Sequence, residues 1–277
     1  MKTLYLTDLD GTLLDETGYV SAQSIAILNR LLANGVMLSF ATARSIVSST
    51  HVTAGVNWTL PVITSNGSSI VDPLTRQAVT QIAFTAEELQ PIIRCVTGQD
   101  LCPVVFSYID GQEQVSWLRG QENVGLQAYL REPARANDQR LRPVECSEQL
   151  WQGAVSCVVC MGRKDDFVRL HAQWSAEETY QTFLSKQLYS DIWWLEVLPR
   201  QATKANAALQ LKAMLGCDRI VFFGDGENDA SLFAVADEAY ATANAVPQLK
   251  AVATAVIGSN REDGVARWLE RYALLPG

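Results

Sequence analysis

Two short acidic runs carry most of the chemistry open to this 277-residue chain: Asp8-Leu9-Asp10-Gly11-Thr12 and, more than two hundred positions later, Asp225-Gly226-Glu227-Asn228-Asp229. An aspartate-rich loop alone is commonly a turn or a helix cap. Here each run directly follows an apolar stretch, Thr3 to Thr7 and Arg219 to Phe223, that reads as a buried strand. Two carboxylates about 4 Å apart repel by about 4 kcal/mol at an effective dielectric near ~20, so three or four gathered together need a cation. Oxygen donors without paired histidines favour a hard ion, and Mg²⁺ with retained waters suits a site that also takes phosphate. A calcium loop is excluded, because Gly11 and Ala230 do not give the glycine needed at position six. Asp229 stands where a dinucleotide fingerprint starting at Gly224 needs glycine, and no phosphate-loop Gly-Lys-Ser/Thr occurs.

The elements around these runs alternate strand and helix. After Asp8 a helix is expected with Ile25, Leu28 and Leu32 on one face, Ser21 as N-cap and Gly35 past its end. Val36 to Ala41 is the next strand, running into Thr42, and Pro61 to Thr64 a third, running into Ser65-Asn66-Gly67. Each apolar strand thus delivers small polar residues at its C-terminal end, where doubly wound sheets place their sites. Late in the chain Lys204 to Leu215 reads as a helix stopped by Gly216. Ala230 to Ala236 also reads as helical, followed by a strand near Val252 to Ile257 and a helix capped by Asp263. If the chain winds to one side of its first strand and then to the other, the two acidic runs meet at the switch point.

The middle has another character. Thr85-Ala86-Glu87-Glu88 is a capping box. Pro103 to Ile109 and Gln114 to Leu118 flank Asp110-Gly111 as a hairpin. Polar sequence from Gln121 to Glu148 gives way to a strand near Ser156, a helix over Asp165 to Trp174 and a strand over Ile192 to Leu198. The fold expected is therefore α/β, a doubly wound, mainly parallel, Rossmann-like core over 1–81 and 199–277, with an inserted α+β cap domain over 82–198.

Asp8-Leu9-Asp10-Gly11-Thr12-Leu13-Leu14 resembles the D-x-D-G-T signature of the haloacid dehalogenase superfamily. Thr42, Lys204 and Gly224-Asp225-x-x-Asn228-Asp229 follow in the order and spacing of its other three motifs. The long insert before Lys204, with Asn66-Gly67, resembles the Cof-type sugar-phosphatase branch. That resemblance implies an Mg²⁺-dependent phosphatase acting on a small phosphorylated metabolite. Asp8 would be the nucleophile and Asp10 the acid and base, and Lys204 would balance the charge of Asp8 and the phosphate. Asp8, the backbone carbonyl of Asp10, Asp225 and Asp229 would hold the metal, Asp229 directly or through water, with Asn228 in support. Thr42 would bond a phosphoryl oxygen, and Gly11 would let the backbone turn closely around the phosphoryl group. Arg44 and Asn66 are candidates either for substrate contact or for shaping their loops.

Two departures from the family pattern stand out. The second motif reads Thr42-Ala43-Arg44 instead of T-G-R, and the stretch before Lys204 lacks the branch's glycines. A phosphomutase or phosphotransferase would use the same intermediate, and a metal- or sugar-phosphate-binding protein would use the same ligands without turnover.

The net charge of −8 disfavours a nucleic-acid or anionic-lipid partner. The N-terminus lacks a signal-peptide pattern and the apolar run near 153–162 is too short for a membrane span, so a cytoplasmic protein is expected. Six cysteines are scattered, and Cys157-x-x-Cys160 falls in an apparent strand, which puts the two thiols on opposite faces. His51 and His171 lie away from every motif. Trp193-Trp194 could line a sugar pocket, although strand alternation places one of them in the core, and Glu196 shares their strand. The sequence carries no signal for an oligomeric state.

Overall fold

The computed structural model describes residues 1–99, 101–131, 137–186 and 191–273. In chain order the first elements are β1 (Thr3–Thr7), α1 (Ala22–Ala33), β2 (Met37–Phe40), α2 (Ile46–Val52), β3 (Val62–Thr64), β4 (Ser69–Val71) and β5 (Ala78–Gln81). Then come α3 (Ala86–Gly98), β6 (Pro103–Ile109), β7 (Gln112–Leu118), α4 (Val124–Arg131), β8 (Leu141–Val144), α5 (Ser147–Leu150), β9 (Ala154–Gly162), α6 (Lys164–Ser175), β10 (Tyr180–Lys186) and β11 (Trp193–Pro199). The chain closes with α7 (Lys204–Leu215), β12 (Arg219–Gly224), α8 (Ala230–Phe233), β13 (Glu238–Thr242), α9 (Pro247–Val252), β14 (Ala255–Ile257) and α10 (Gly264–Tyr272). Two compact units result, Met1–Thr80 with Thr203–Gly277, and Gln81–Ala202.

In the first unit a five-stranded parallel sheet runs β14-β13-β12-β1-β2. Alternation along β12 explains its burial. Val221 and Phe223 enter one core with α1 and α10, while Ile220 and Phe222 enter the other with α7, α8 and α9. Helices therefore cover both faces, and the doubly wound, mainly parallel α/β reading is borne out. From β1 the chain passes to β2 on one flank and later to β12 on the other, so the switch point lies between β1 and β12. Thr7 pairs in register with Phe223, and the Asp8 N–H donates to the Phe223 carbonyl at 2.8 Å. That register fixes the two acidic runs side by side. A small three-stranded sheet, β3-β4-β5, in which β3 and β4 run antiparallel, continues from β2 through a parallel bridge, Ala41 to Ile63.

Several local expectations need correction. Ser21 caps helix α1 as expected, but the helix's buried apolar row is Ile27, Leu28 and Leu31, with Ile25 and Leu32 half-buried beside it. The strand expected near Val252 is shorter, Ala255–Ile257, because Pro247 starts a helix that runs through Val252. The helix expected over Ala230 to Ala236 stops at Phe233. Asp263 precedes α10 but does not cap it with its side chain, which instead accepts the Ser21 and Ser24 hydroxyls.

The second unit is a six-stranded sheet, β10-β11-β9-β6-β7-β8, antiparallel except for the β7–β8 pair. The capping box at Thr85 closes through Glu88, and Asp110 and Gly111 turn the β6–β7 hairpin with positive φ at both. The hairpin's second strand starts at Gln112, two residues before the expected Gln114. Helices α3 and α6 pack on one face and α4 on the other. Helix α4 and strand β8 occupy part of the stretch read as merely polar. Cys160 and Cys157 fall on opposite faces, both buried, and burial pushes both thiols upward. Trp193 and Trp194 likewise split between the faces: the Lys164 ammonium stands over Trp193, and Trp194 meets Tyr129 edge-on at 5.6 Å. No helix among the described residues is long and apolar enough to cross a membrane.

Candidate active site

Asp8, Asp225 and Asp229 converge at the C-terminal ends of β1 and β12, each offering a carboxylate oxygen within 4.8 Å of the others. Asp8 and Asp229 are buried and Asp225 is half-buried. Lys204, the first residue of α7, reaches into this group. Its Nζ donates to Asp8 Oδ1 at 2.8 Å and to Asp229 Oδ1 at 2.7 Å, with the lysine side chain fully buried. Thr203 caps α7 through its hydroxyl, which fixes where Lys204 starts.

The charges do not balance. Burial works against the Lys204 ammonium, but Asp229 and Asp8 outweigh it and its pKa moves upward. One ammonium faces three carboxylates. Burial first, and then Asp229 and Asp225, push Asp8 well above the usual carboxylate range against the pull of Lys204. Asp225 is pushed up to about 6, chiefly by burial. A hard divalent cation among these oxygens would relieve that repulsion, so the donor set fits Mg²⁺ chemically.

The three aspartates differ in how their oxygens are used. Asp229 Oδ1 takes Lys204, and its Oδ2 takes the N–H groups of Asp225 and Gly226 at 2.9 and 3.0 Å. Asp229 thus accepts three protein donors, one on Oδ1 and two on Oδ2. Asp225 Oδ1 accepts the Thr12 hydroxyl at 2.7 Å. Gly11, with φ 74°, lies against Asp225: an added Cβ would come within 2.2 Å of its Oδ2. The glycine therefore allows the close approach of one acidic run to the other.

Asp10 stands apart from the cluster. Arg44 grips its carboxylate with two parallel bonds, Nε to Oδ2 at 2.7 Å and Nη2 to Oδ1 at 2.6 Å. Thr42 is fully buried, and its hydroxyl oxygen accepts the Arg44 N–H at 3.1 Å, which leaves its proton to be given elsewhere. The Asn66 N–H donates to the Thr42 carbonyl at 3.0 Å, and the Asn66 side-chain oxygen accepts the Asn228 amide at 3.1 Å. Ser65, Asn66 and Gly67 hold positive φ in succession, and a Cβ on Gly67 would strike the Thr203 carbonyl at 2.2 Å. This strained loop is pressed against the start of α7, beside Lys204.

Sequence reasoning gave no role to Thr12, Ser48 or Asn244. Thr12 holds Asp225, Ser48 accepts from Arg44, and Asn244 donates to the Gly11 carbonyl at 2.7 Å. Thr12 sits inside the first acidic run and could have been singled out there; Asn244 has no local signal. His51 contacts Tyr19 at the surface, away from the acidic cluster. A cavity of about 860 Å³ opens at the opposite, N-terminal ends of the strands, lined by Thr3, Met37, Arg219 and Glu238 among others, and contains none of these site residues.

A family model for haloacid dehalogenase-like hydrolases matches residues 5–269. The chain belongs to that family. It is 26% identical over 279 residues to the HMP-PP phosphatase of Klebsiella pneumoniae, covering 98% of this chain and 96% of that one. It is 24% identical over 286 residues to the 5-amino-6-(5-phospho-D-ribitylamino)uracil phosphatase YwtE of Bacillus subtilis, covering 95% and 96%. Among solved structures, a Thermotoga maritima protein superposes with a TM-score of 0.78 at 23% identity, covering 98% and 97%. A subclass IIB sugar phosphatase superposes with a TM-score of 0.75 at 19% identity, covering 99% and 100%. The last two likenesses speak for the fold.

Proposed function

We propose that this hydrolase is an Mg²⁺-dependent phosphatase that hydrolyses a small phosphomonoester through an aspartyl-phosphate on Asp8. The observation that supports this most is the Asp8–Asp225–Asp229 group with Lys204 set between two of its carboxylates. Asp8, the Asp10 carbonyl and Asp225 would hold the ion, whose charge would neutralise the phosphoryl oxygens. Asp229, held by Lys204 and two amides, would fix the shape of the loop and meet the ion directly or through water.

The protein's own groups account for the remaining steps. An Asp8 carboxylate oxygen attacks phosphorus, and the bond to the leaving oxygen breaks with its electron pair, which takes a proton from Asp10. Water then attacks the same phosphorus and gives its proton to Asp10. The phosphorus–Asp8 bond breaks and restores the carboxylate. Thr42, with its hydroxyl proton uncommitted to the Arg44 amide, donates to a phosphoryl oxygen. Lys204 offsets the charge that builds as the phosphate sits against Asp8. Asn228 and Asn66, bonded to each other, would border the phosphate on the other side.

The unit Gln81–Ala202 would act as the cap that sorts substrates. The substrate class is a sugar or polyol phosphate, in keeping with the phosphoribityl group in the name of one relative. A cytoplasmic setting would suit such a substrate.

A panel of phosphorylated metabolites assayed with Mg²⁺ and with excess chelator tests the proposal. Phosphate release that requires the metal and disappears in Asp8→Asn is expected; metal-independent release, or near-normal turnover by that variant, would exclude it. Formation of sugar-phosphate isomers faster than phosphate release would favour a mutase instead.

A further inference from the structure

Arg44 joins three of the loops that build the site. Its side chain spans Nε and Nη2 across both oxygens of Asp10, at 2.7 and 2.6 Å, while Nη1 donates to the Ser48 hydroxyl on α2 at 2.9 Å. Its backbone is committed as well: the N–H goes to Thr42 Oγ1 at 3.1 Å, and the carbonyl accepts the Ser65 N–H at 2.9 Å. The pair is part-exposed, with side chains 27% and 41% accessible, and pairs of that kind add little to stability. What a planar two-pronged bond adds is geometry, because it fixes both the place and the plane of a carboxylate. Asp10 lies two residues beyond Asp8 in the first acidic run.

We infer that Arg44 is a positioning residue, with Ser48 as its support: it orients the Asp10 carboxyl for proton transfer, and its guanidinium does not bind the substrate. The inference rests on the phosphatase reading and adds to it. A group that works only by aiming Asp10 loses its effect once Asp10 can no longer transfer a proton, and that sets it apart from a substrate ligand or a purely structural contact.

The test is a double-mutant cycle in the full-length protein with Mg²⁺, using Arg44→Ala, Arg44→Lys, Ser48→Ala and Asp10→Asn, each assayed on nitrophenyl phosphate and on an alkyl phosphate. Nitrophenolate departs without a proton, whereas an alkoxide needs one. Arg44→Ala is expected to lower kcat on the alkyl phosphate about 10- to 100-fold, with KM little changed and a much smaller loss on nitrophenyl phosphate. In the Asp10→Asn background the same substitution is expected to change kcat by less than about threefold. Arg44→Lys should not restore activity, because one ammonium cannot hold both oxygens, and Ser48→Ala should show a weaker form of the same pattern. A rise in KM that is equal in both backgrounds would overturn the inference in favour of substrate binding. An equal kcat loss on both substrates that adds to Asp10→Asn would overturn it in favour of a structural role, and thermal melts of each variant identify unfolding as the cause if it is one. Absence of wild-type turnover on either substrate would instead overturn the phosphatase reading, and this inference with it.

Discussion

The Lys204 ammonium lies 2.8 Å from Oδ1 of Asp8, with both side chains buried at the meeting point of α7 and β1. Two residues 196 positions apart thus form the charge pair on which the acidic cluster depends. The same ammonium holds Asp229 at 2.7 Å, so removing it strands two buried carboxylates at once.

Lys204→Met should therefore destabilise the metal-free protein by about 3–5 kcal/mol, the usual penalty for breaking a buried pair from one side. Mg²⁺ should recover part of that loss, since a cation among the aspartates replaces some of the missing charge. Denaturant unfolding with and without Mg²⁺ checks this. Unchanged stability in the variant would show that the pair is not holding the cluster.

Asp225 sets a pH dependence. Its pKa rises from 3.8 to about 6, through burial first and Asp229 after, against the pull of Thr12 and Lys204. The folded value exceeds the unfolded one, so the native state binds the proton more tightly. The metal-free protein should lose about 2–3 kcal/mol from this group as pH rises from about 4 through about 6. The same proton competes with the cation, so Mg²⁺ affinity should rise over that window. Calorimetric titration at about pH 5 and about pH 7.5 should show binding tighter by about tenfold or more at the higher value. Equal affinities would remove Asp225 from the metal site.

Gly11 and Gly18 provide a matched comparison. Both have positive φ, 74° and 78°, so alanine strains the backbone at either by about 1 kcal/mol. Only at Gly11 does the new Cβ meet a neighbour, Asp225 Oδ2 at 2.2 Å; nothing lies within 4 Å of Gly18. Gly11→Ala should thus weaken Mg²⁺ binding and turnover by about 100-fold or more, and Gly18→Ala should leave both near wild type. Equal activities in the two variants would mean that Asp225 tolerates displacement.

The core was legible where burial on both faces leaves a continuous apolar run. Ile220-Val221-Phe222-Phe223 announced β12, and the register of β1 on it then brought Asp8 beside Asp225. Helix α7 was readable end to end from Lys204 to the left-handed Gly216. Strand β13, Glu238–Thr242, was not, because Glu-Ala-Tyr-Ala-Thr has no dense apolar signal and gains its burial from the strands beside it. Strand β10 escaped for a related reason: it is an edge strand, half-exposed along most of its length. The Arg44–Asp10 grip was likewise hidden. It depends on the path of two loops joined to different strands, and neither loop carries a periodicity that reports where its side chains go.

The stereochemistry at phosphorus reports on the proposed intermediate without any change to the protein. A phosphomonoester made chiral with oxygen isotopes would be turned over in labelled water and the configuration of the released phosphate determined. Two in-line displacements, the first by Asp8 and the second by water, should return phosphate with retained configuration. Inversion would mean that water attacks the substrate directly, and Asp8 would then carry no phosphoryl group.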